Sequence, residues 1–167
     1  MDARLLLKTI LLFLLWGVPV GMAGGQSRFS PQEPREKSKC PVCGMFVLEY
    51  PRWWSEIIYE DGTVRFFDGP KDMLKFILHP ELYGEKRITK IAQMYVRDYY
   101  SLHWIEARRA WYVSESDVLG PMGNELIPLK SQEDANEFRQ DHQGKLILQF
   151  DEINWDLLMR ISEGDNM

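Results

Sequence analysis

The stretch from Thr63 to Phe76, TVRFFDGPKDMLKF, changes character at its middle. Thr63 to Phe67 is a run of strand formers, and Asp68-Gly69-Pro70 then opens a helix. Asp68 is the expected cap, and Pro70 falls in the first turn, where a missing N–H is harmless. Met73, Leu74, Ile77 and Leu78 supply a helical apolar stripe until Pro80 stops it. Working backwards, Trp53 to Tyr59 (WWSEIIY) has strand composition, and Glu60-Asp61-Gly62 is a turn signal, so the two runs form a β-hairpin. Working forwards, Ile88 to Asp98 reads as a third strand. The order is ββαβ.

The same order returns in the second half. Ile105 to Ser114 and Leu126 to Leu129 read as strands separated by the loop ESDVLGPMGNE. Ser131 with Asp134 starts a helix in the manner of a capping box, Gly144 is expected to end it, and Lys145 to Phe150 is the closing strand. Asp134 to Phe138 sits in this helix as Asp72 to Phe76 sits in the first. The expected fold class is α+β, two tandem ββαβ lobes over residues 40–100 and 101–153. Residues 154–167 form a tail, with a short helix from Asn154 to Ile161.

The N-terminus belongs to another category. Arg4 and Lys8 precede an uncharged run from Thr9 to Gly25, and Gly21-Met22-Ala23 offers the small residues a signal peptidase inspects. Residues 1–23 read as a cleaved secretory signal, with retention as an N-terminal membrane anchor the alternative. Residues 24–39, rich in Gly, Pro, Ser and charge, read as a flexible tether. Either way the folded part is exported, to the periplasm or the outer face of the cytoplasmic membrane.

With 167 residues, 45% of them hydrophobic, the chain can bury a substantial core. A net charge of −5 and the absence of any basic stripe argue against a nucleic-acid partner. There is no phosphate-binding glycine loop, no G-x-S-x-G and no H-E-x-x-H, and nothing in the chain suggests an enzyme.

The chemistry gathers in Lys39 to Phe46, KCPVCGMF, which holds both cysteines. A C-x-x-C disulfide closes a loop too short to stabilise a fold of this size much. A redox dithiol of the thioredoxin type calls for a strand before the motif and a long helix after it, and neither is present. Structural zinc calls for four ligands, whereas His79, His103 and His142 are scattered. Cu(I) is soft, prefers thiolate and thioether, and accepts two or three ligands. Met45 and Met122 are flanked by glycine, in Cys43-Gly44-Met45 and Gly120-Pro121-Met122-Gly123, and loop methionines of this kind are poor core candidates. Copper, zinc and dithiol chemistry all remain open at this stage.

Cys43-Gly44-Met45, the stretch Phe66 to Phe76, Asp98-Tyr99-Tyr100, Ser116 to Pro128 and the helix end Asp134 to Gly144 closely resemble the NosL family. Its members are exported copper-binding accessory proteins of nitrous oxide reductase maturation. The resemblance covers nearly all of residues 40–153. It implies paired ββαβ lobes, similar to a domain of organomercurial lyase, holding one Cu(I) for delivery to an apo copper enzyme. Carried over, the family's cysteine is Cys43 and its methionine Met122. The histidine of the family's M-G-H loop is replaced by Asn124. Cys40 is then placed to supply a second thiolate, with Met45 a further sulfur nearby and Asn124 behind the ligands. The family's lipidated cysteine is absent. The alternative function is a periplasmic thiol-disulfide or assembly factor using Cys40 and Cys43.

Overall fold

The structure, a computed structural model, describes residues 29–86 and 89–164. The signal or anchor reading of residues 1–23, the first part of the tether and Ile88 lie outside the described residues. Strands β1 (Ser55–Tyr59) and β2 (Val64–Phe67) pair antiparallel, Ser55 opposite Phe67 and Ile58 opposite Val64. The turn between them passes through Gly62 at φ +82°, a left-handed conformation that glycine adopts without steric cost. Helix α1 (Pro70–Leu78) follows, and β3 (Ile91–Arg97) returns antiparallel along the other edge of β1. A short strand β4 (Trp104–Glu106) extends the sheet, giving the order β2-β1-β3-β4.

The second unit repeats the scheme. Its first strand, β5 (Trp111–Ser114), is central, with β8 (Ile127–Leu129) on one side and β9 (Leu146–Gln149) on the other, both antiparallel. Between β5 and β8 the chain makes a small hairpin from β6 (Leu119–Gly120) and β7 (Gly123–Asn124). Helix α2 (Gln132–Asp141) joins β8 to β9, and α3 (Trp155–Glu163) closes the fold. Ser131 Oγ accepts the Asp134 N–H at 3.1 Å, and Asn154 Oδ1 accepts the Leu157 N–H at 3.0 Å, so both helices carry side-chain caps.

The two units share one core. Phe67, Met73, Phe76 and Val96 of the first pack in one buried cluster with Tyr112, Leu126, Leu158 and Ile161 of the second. Each fully buried side chain of this size contributes about 1.5–3 kcal/mol, and the shared cluster ties the sheets together. A smaller cluster of Val113, Ile127, Leu129, Ala135 and Phe138 includes residues of α2 and the second sheet. Buried Asp98 stitches the crossover, accepting from Ser101 N–H at 2.8 Å and Lys130 N–H at 3.0 Å. Helix α3 reaches the first unit through Trp155, whose ring meets His79 edge-on at 4.5 Å.

Four local expectations are corrected. Ile105 to Ser114 is not one strand: a 3-10 turn at Ala107–Arg109 breaks it, and β4 joins the first sheet while β5 founds the second. Buried Ala107 and Ala110 let the backbone cross closely between the sheets there, and the Tyr112 hydroxyl donates to Ala107 O at 2.8 Å. The cap of α1 is Gly69, not Asp68, and the cap residue itself supplies no side-chain bond. At the end of α2, Gln143 takes the left-handed conformation at φ +55°, and the Gly144 N–H returns to Arg139 O at 3.0 Å. Glycine follows for a different reason: a Cβ at position 144 would lie 2.4 Å from Val113 Cγ1. Finally, residues 29–39 are docked rather than loose. Tyr95 OH donates to Phe29 O at 2.9 Å, the Gln32 N–H donates to Glu56, and Pro34 is buried.

Candidate metal centre

Cys40 to Met45 forms a tight turn. The Cys40 N–H donates to Met45 O and the Gly44 N–H to Cys40 O, both at 2.9 Å, and a bridge between Lys39 and Phe46 closes the stem. Gly44 stands at φ +80°, where a side chain would be strained. This turn aims both thiols at the start of α1. Cys40 Sγ donates to Asp72 Oδ2 at 3.4 Å, and Cys43 Sγ to Asp68 Oδ2 at 3.2 Å. The four donor groups lie within 4.8 Å of one another, and both cysteines are free thiols.

Burial makes this cluster costly for charge. Cys40 and Asp68 are each 1% exposed and Asp72 4%, whereas Cys43 is half-buried. Burial, followed by the charge of Asp68, raises the Asp72 carboxyl above the usual range. The hydrogen bond to Cys43, then burial, then the charge of Asp72 push the Cys40 thiol far up. The Lys75 charge opposes this at Asp72, and a bound cation would offset the repulsion among the four groups further.

Beside Cys43 lies an open cleft of about 560 Å³. It is lined by Val42 and Cys43 of the cysteine turn, Lys71, Asp72 and Lys75 of α1, Pro121, Met122 and Gly123 of the β6–β7 turn, and Ser162 of α3. Met122 is 44% exposed and lines this cleft. The structure thus brings Cys43 and Met122 to one cleft, with Cys40 buried beside Asp72. Two other sequence candidates fall elsewhere. Met45 gives its carbonyl to the turn and does not line the cleft, and the Asn124 amide donates to Ile161 O of α3 at 3.5 Å. Among the described residues no histidine joins the cluster: His79 bonds Glu81 at 2.9 Å and His142 bonds Asp117 at 3.1 Å.

Asp68 and Asp72 were not singled out as ligands from the sequence. Asp72 lies in the first turn of α1 and Asp68 just before its cap, and only the cysteine turn packed on that helix start brings the two carboxylates together.

Fold and donor set together define the class, an α+β protein whose sulfur and carboxylate groups are equipped to hold a metal ion. Residues 31–158 match the NosL family, and the chain belongs to that family. It is 30% identical over 141 residues to the copper-binding lipoprotein NosL of Stutzerimonas stutzeri, spanning 80% of this chain and 70% of that one. The crystal structure of the copper chaperone NosL from Shewanella denitrificans aligns at a TM-score of 0.65 and 28% identity, covering 77% of this chain and 98% of that one. The solution structure of apo-NosL from Achromobacter cycloclastes aligns at 0.46 and 25% identity, over 62% of this chain and 87% of that one. The expected mixed fold and the resemblance are both borne out.

Proposed function

We propose that this chain is an exported carrier of Cu(I), which it takes between Cys43 and Met122 and passes to a copper enzyme. The observation that carries the reading is the shared cleft, where thiol and thioether from the two halves of the molecule face one space. Those are the donors a soft monovalent cation prefers, and Cys40 adds a second thiol from below. Family membership supports the same cargo, as do relatives described as a copper-binding lipoprotein and a copper chaperone. In this reading Asn124, whose amide bonds Ile161 O of α3, does not replace the family's histidine as a ligand.

Carriage requires a metal that can leave. The half-exposed Met122 side is open, so an incoming donor from the recipient can attach before Cys43 lets go. The resemblance makes nitrous oxide reductase in its metal-free state the first recipient to test. Export places the protein in the periplasm or on the outer face of the cytoplasmic membrane; among the described residues no helix is long and apolar enough to cross a membrane. The alternative reading, a thiol-disulfide factor using Cys40 and Cys43, predicts a reversible two-electron potential and activity without metal.

The test is an anaerobic Cu(I) titration of the protein against a chromophoric chelator. One ion per chain is expected, bound about tenfold or more weaker in Cys43→Ser and Met122→Leu. A wild-type protein that takes no copper from the chelator overturns the reading. Transfer from the loaded protein to metal-free nitrous oxide reductase tests the recipient separately.

A further inference from the structure

A hairpin of two short strands is not a firm support by itself. β6 and β7 share only the pairs Leu119 with Asn124 and Gly120 with Gly123, yet Met122 sits at their turn. What fastens this turn to the cysteine side of the cleft is Lys71, a side chain only 1% exposed in the first turn of α1. Its backbone N–H, one of the donors a helix start leaves without an internal partner, donates to Glu125 Oε1 at 2.7 Å. Its Nζ crosses to the hairpin, donating to Met122 O at 3.0 Å and to Asn124 O. Those two carbonyls bracket Gly123, whose φ of +76° shapes the turn.

Glu125 completes the joint. It also accepts the Leu126 N–H at 2.9 Å, and it fills the space left by two glycines. A Cβ on Gly69 would lie 2.2 Å from Glu125 Oε2, and one on Gly120 would lie 2.9 Å from Glu125 Cβ. The segment bearing Asp68 and Asp72 and the segment bearing Met122 are therefore locked face to face. An ammonium group is expensive to bury, and an apolar side chain would fill the same volume without that cost. Here the Nζ donors go instead to the backbone carbonyls on either side of Gly123, next to Met122.

We propose that Lys71 is the positioning residue of the copper site, holding the Met122 thioether opposite Cys43 through the carbonyls of Met122 and Asn124. This rests on the reading of Met122 as a copper ligand. A lysine that served only the fold would weaken copper binding equally whether or not Met122 is present. One that acts through Met122 would not.

The experiment is a double-mutant cycle read as Cu(I) affinity, with wild type, Lys71→Met, Met122→Leu and the double variant. Lys71→Met is expected to weaken binding about tenfold, and to add no more than about twofold in the Met122→Leu background. In the metal-free protein, the ¹³C-methyl signal of Met122 should show greater mobility in Lys71→Met. Because that change leaves Glu125 buried beside a missing cation, the cycle is repeated with Glu125→Gln, which keeps an oxygen for the two N–H donors. Equal losses with and without Met122, or wild-type affinity in Lys71→Met, overturn the inference while leaving the ligand reading intact. Wild-type affinity in Met122→Leu overturns the ligand reading itself.

Discussion

Cys43 Sγ donates its proton to the Asp68 carboxylate at 3.2 Å in the metal-free protein. Metal uptake must displace that proton, and the Cys40 proton with it if both sulfurs bind. Apparent Cu(I) affinity should therefore rise with pH, by about tenfold per unit for each thiol proton released. Titrations at three pH values around neutrality check this, and a flat profile would exclude thiolate coordination.

The same geometry separates the two cysteines chemically. Cys43 faces the cleft, whereas Cys40 is buried and its thiol is raised by its hydrogen bond to Cys43, by burial and by Asp72. Alkylation of the metal-free protein should modify Cys43 at least about tenfold faster than Cys40. Copper should protect both, with the order read by peptide mass spectrometry.

Two glycines are held by close approach and a third by its backbone. Gly69→Ala and Gly120→Ala drive a methyl into Glu125, and each should cost about 1–3 kcal/mol in chemical denaturation. Gly44→Ala meets nothing within 4 Å, so only the strain at φ +80° remains, about 1 kcal/mol.

Much of this arrangement was legible in the chain, and the parts that were not share a cause. The paired units showed because each hairpin, helix and closing strand has its own local signals. Cys43 and Met122 showed because soft donors beside glycines are unusual. Asp68 and Asp72 did not, since acids at a helix start are common and favoured by the dipole; only the cysteine turn packed on them makes them donors. Lys71 was hidden for the same reason, because a lysine in a first helical turn ordinarily reaches solvent. The break in Ile105 to Ser114 follows from the passage between sheets, and the strand-like composition around it gave no warning.

Docking of residues 29–39 leads to a pH prediction. Glu56 lies buried under this segment, and burial raises its carboxyl from an ordinary 4.5 to about 8, with the Gln32 N–H and Arg97 opposing. The folded state therefore holds this proton more tightly than the unfolded chain does. The stability it contributes is fully present below pH 4.5 and lost as pH rises through about 8, with a slope of up to about 1.4 kcal/mol per unit. Urea midpoints across that window should fall with pH, and Glu56→Gln should flatten the decline.

The most direct measurement of the central claim is copper K-edge X-ray absorption on the Cu(I)-loaded protein and its Met122→Leu variant. Sulfur from both halves of the molecule should surround the ion, and the variant should show one sulfur fewer with Cys43 still bound. An unchanged sulfur count on removing Met122, or a first shell of nitrogen and oxygen alone, would contradict it.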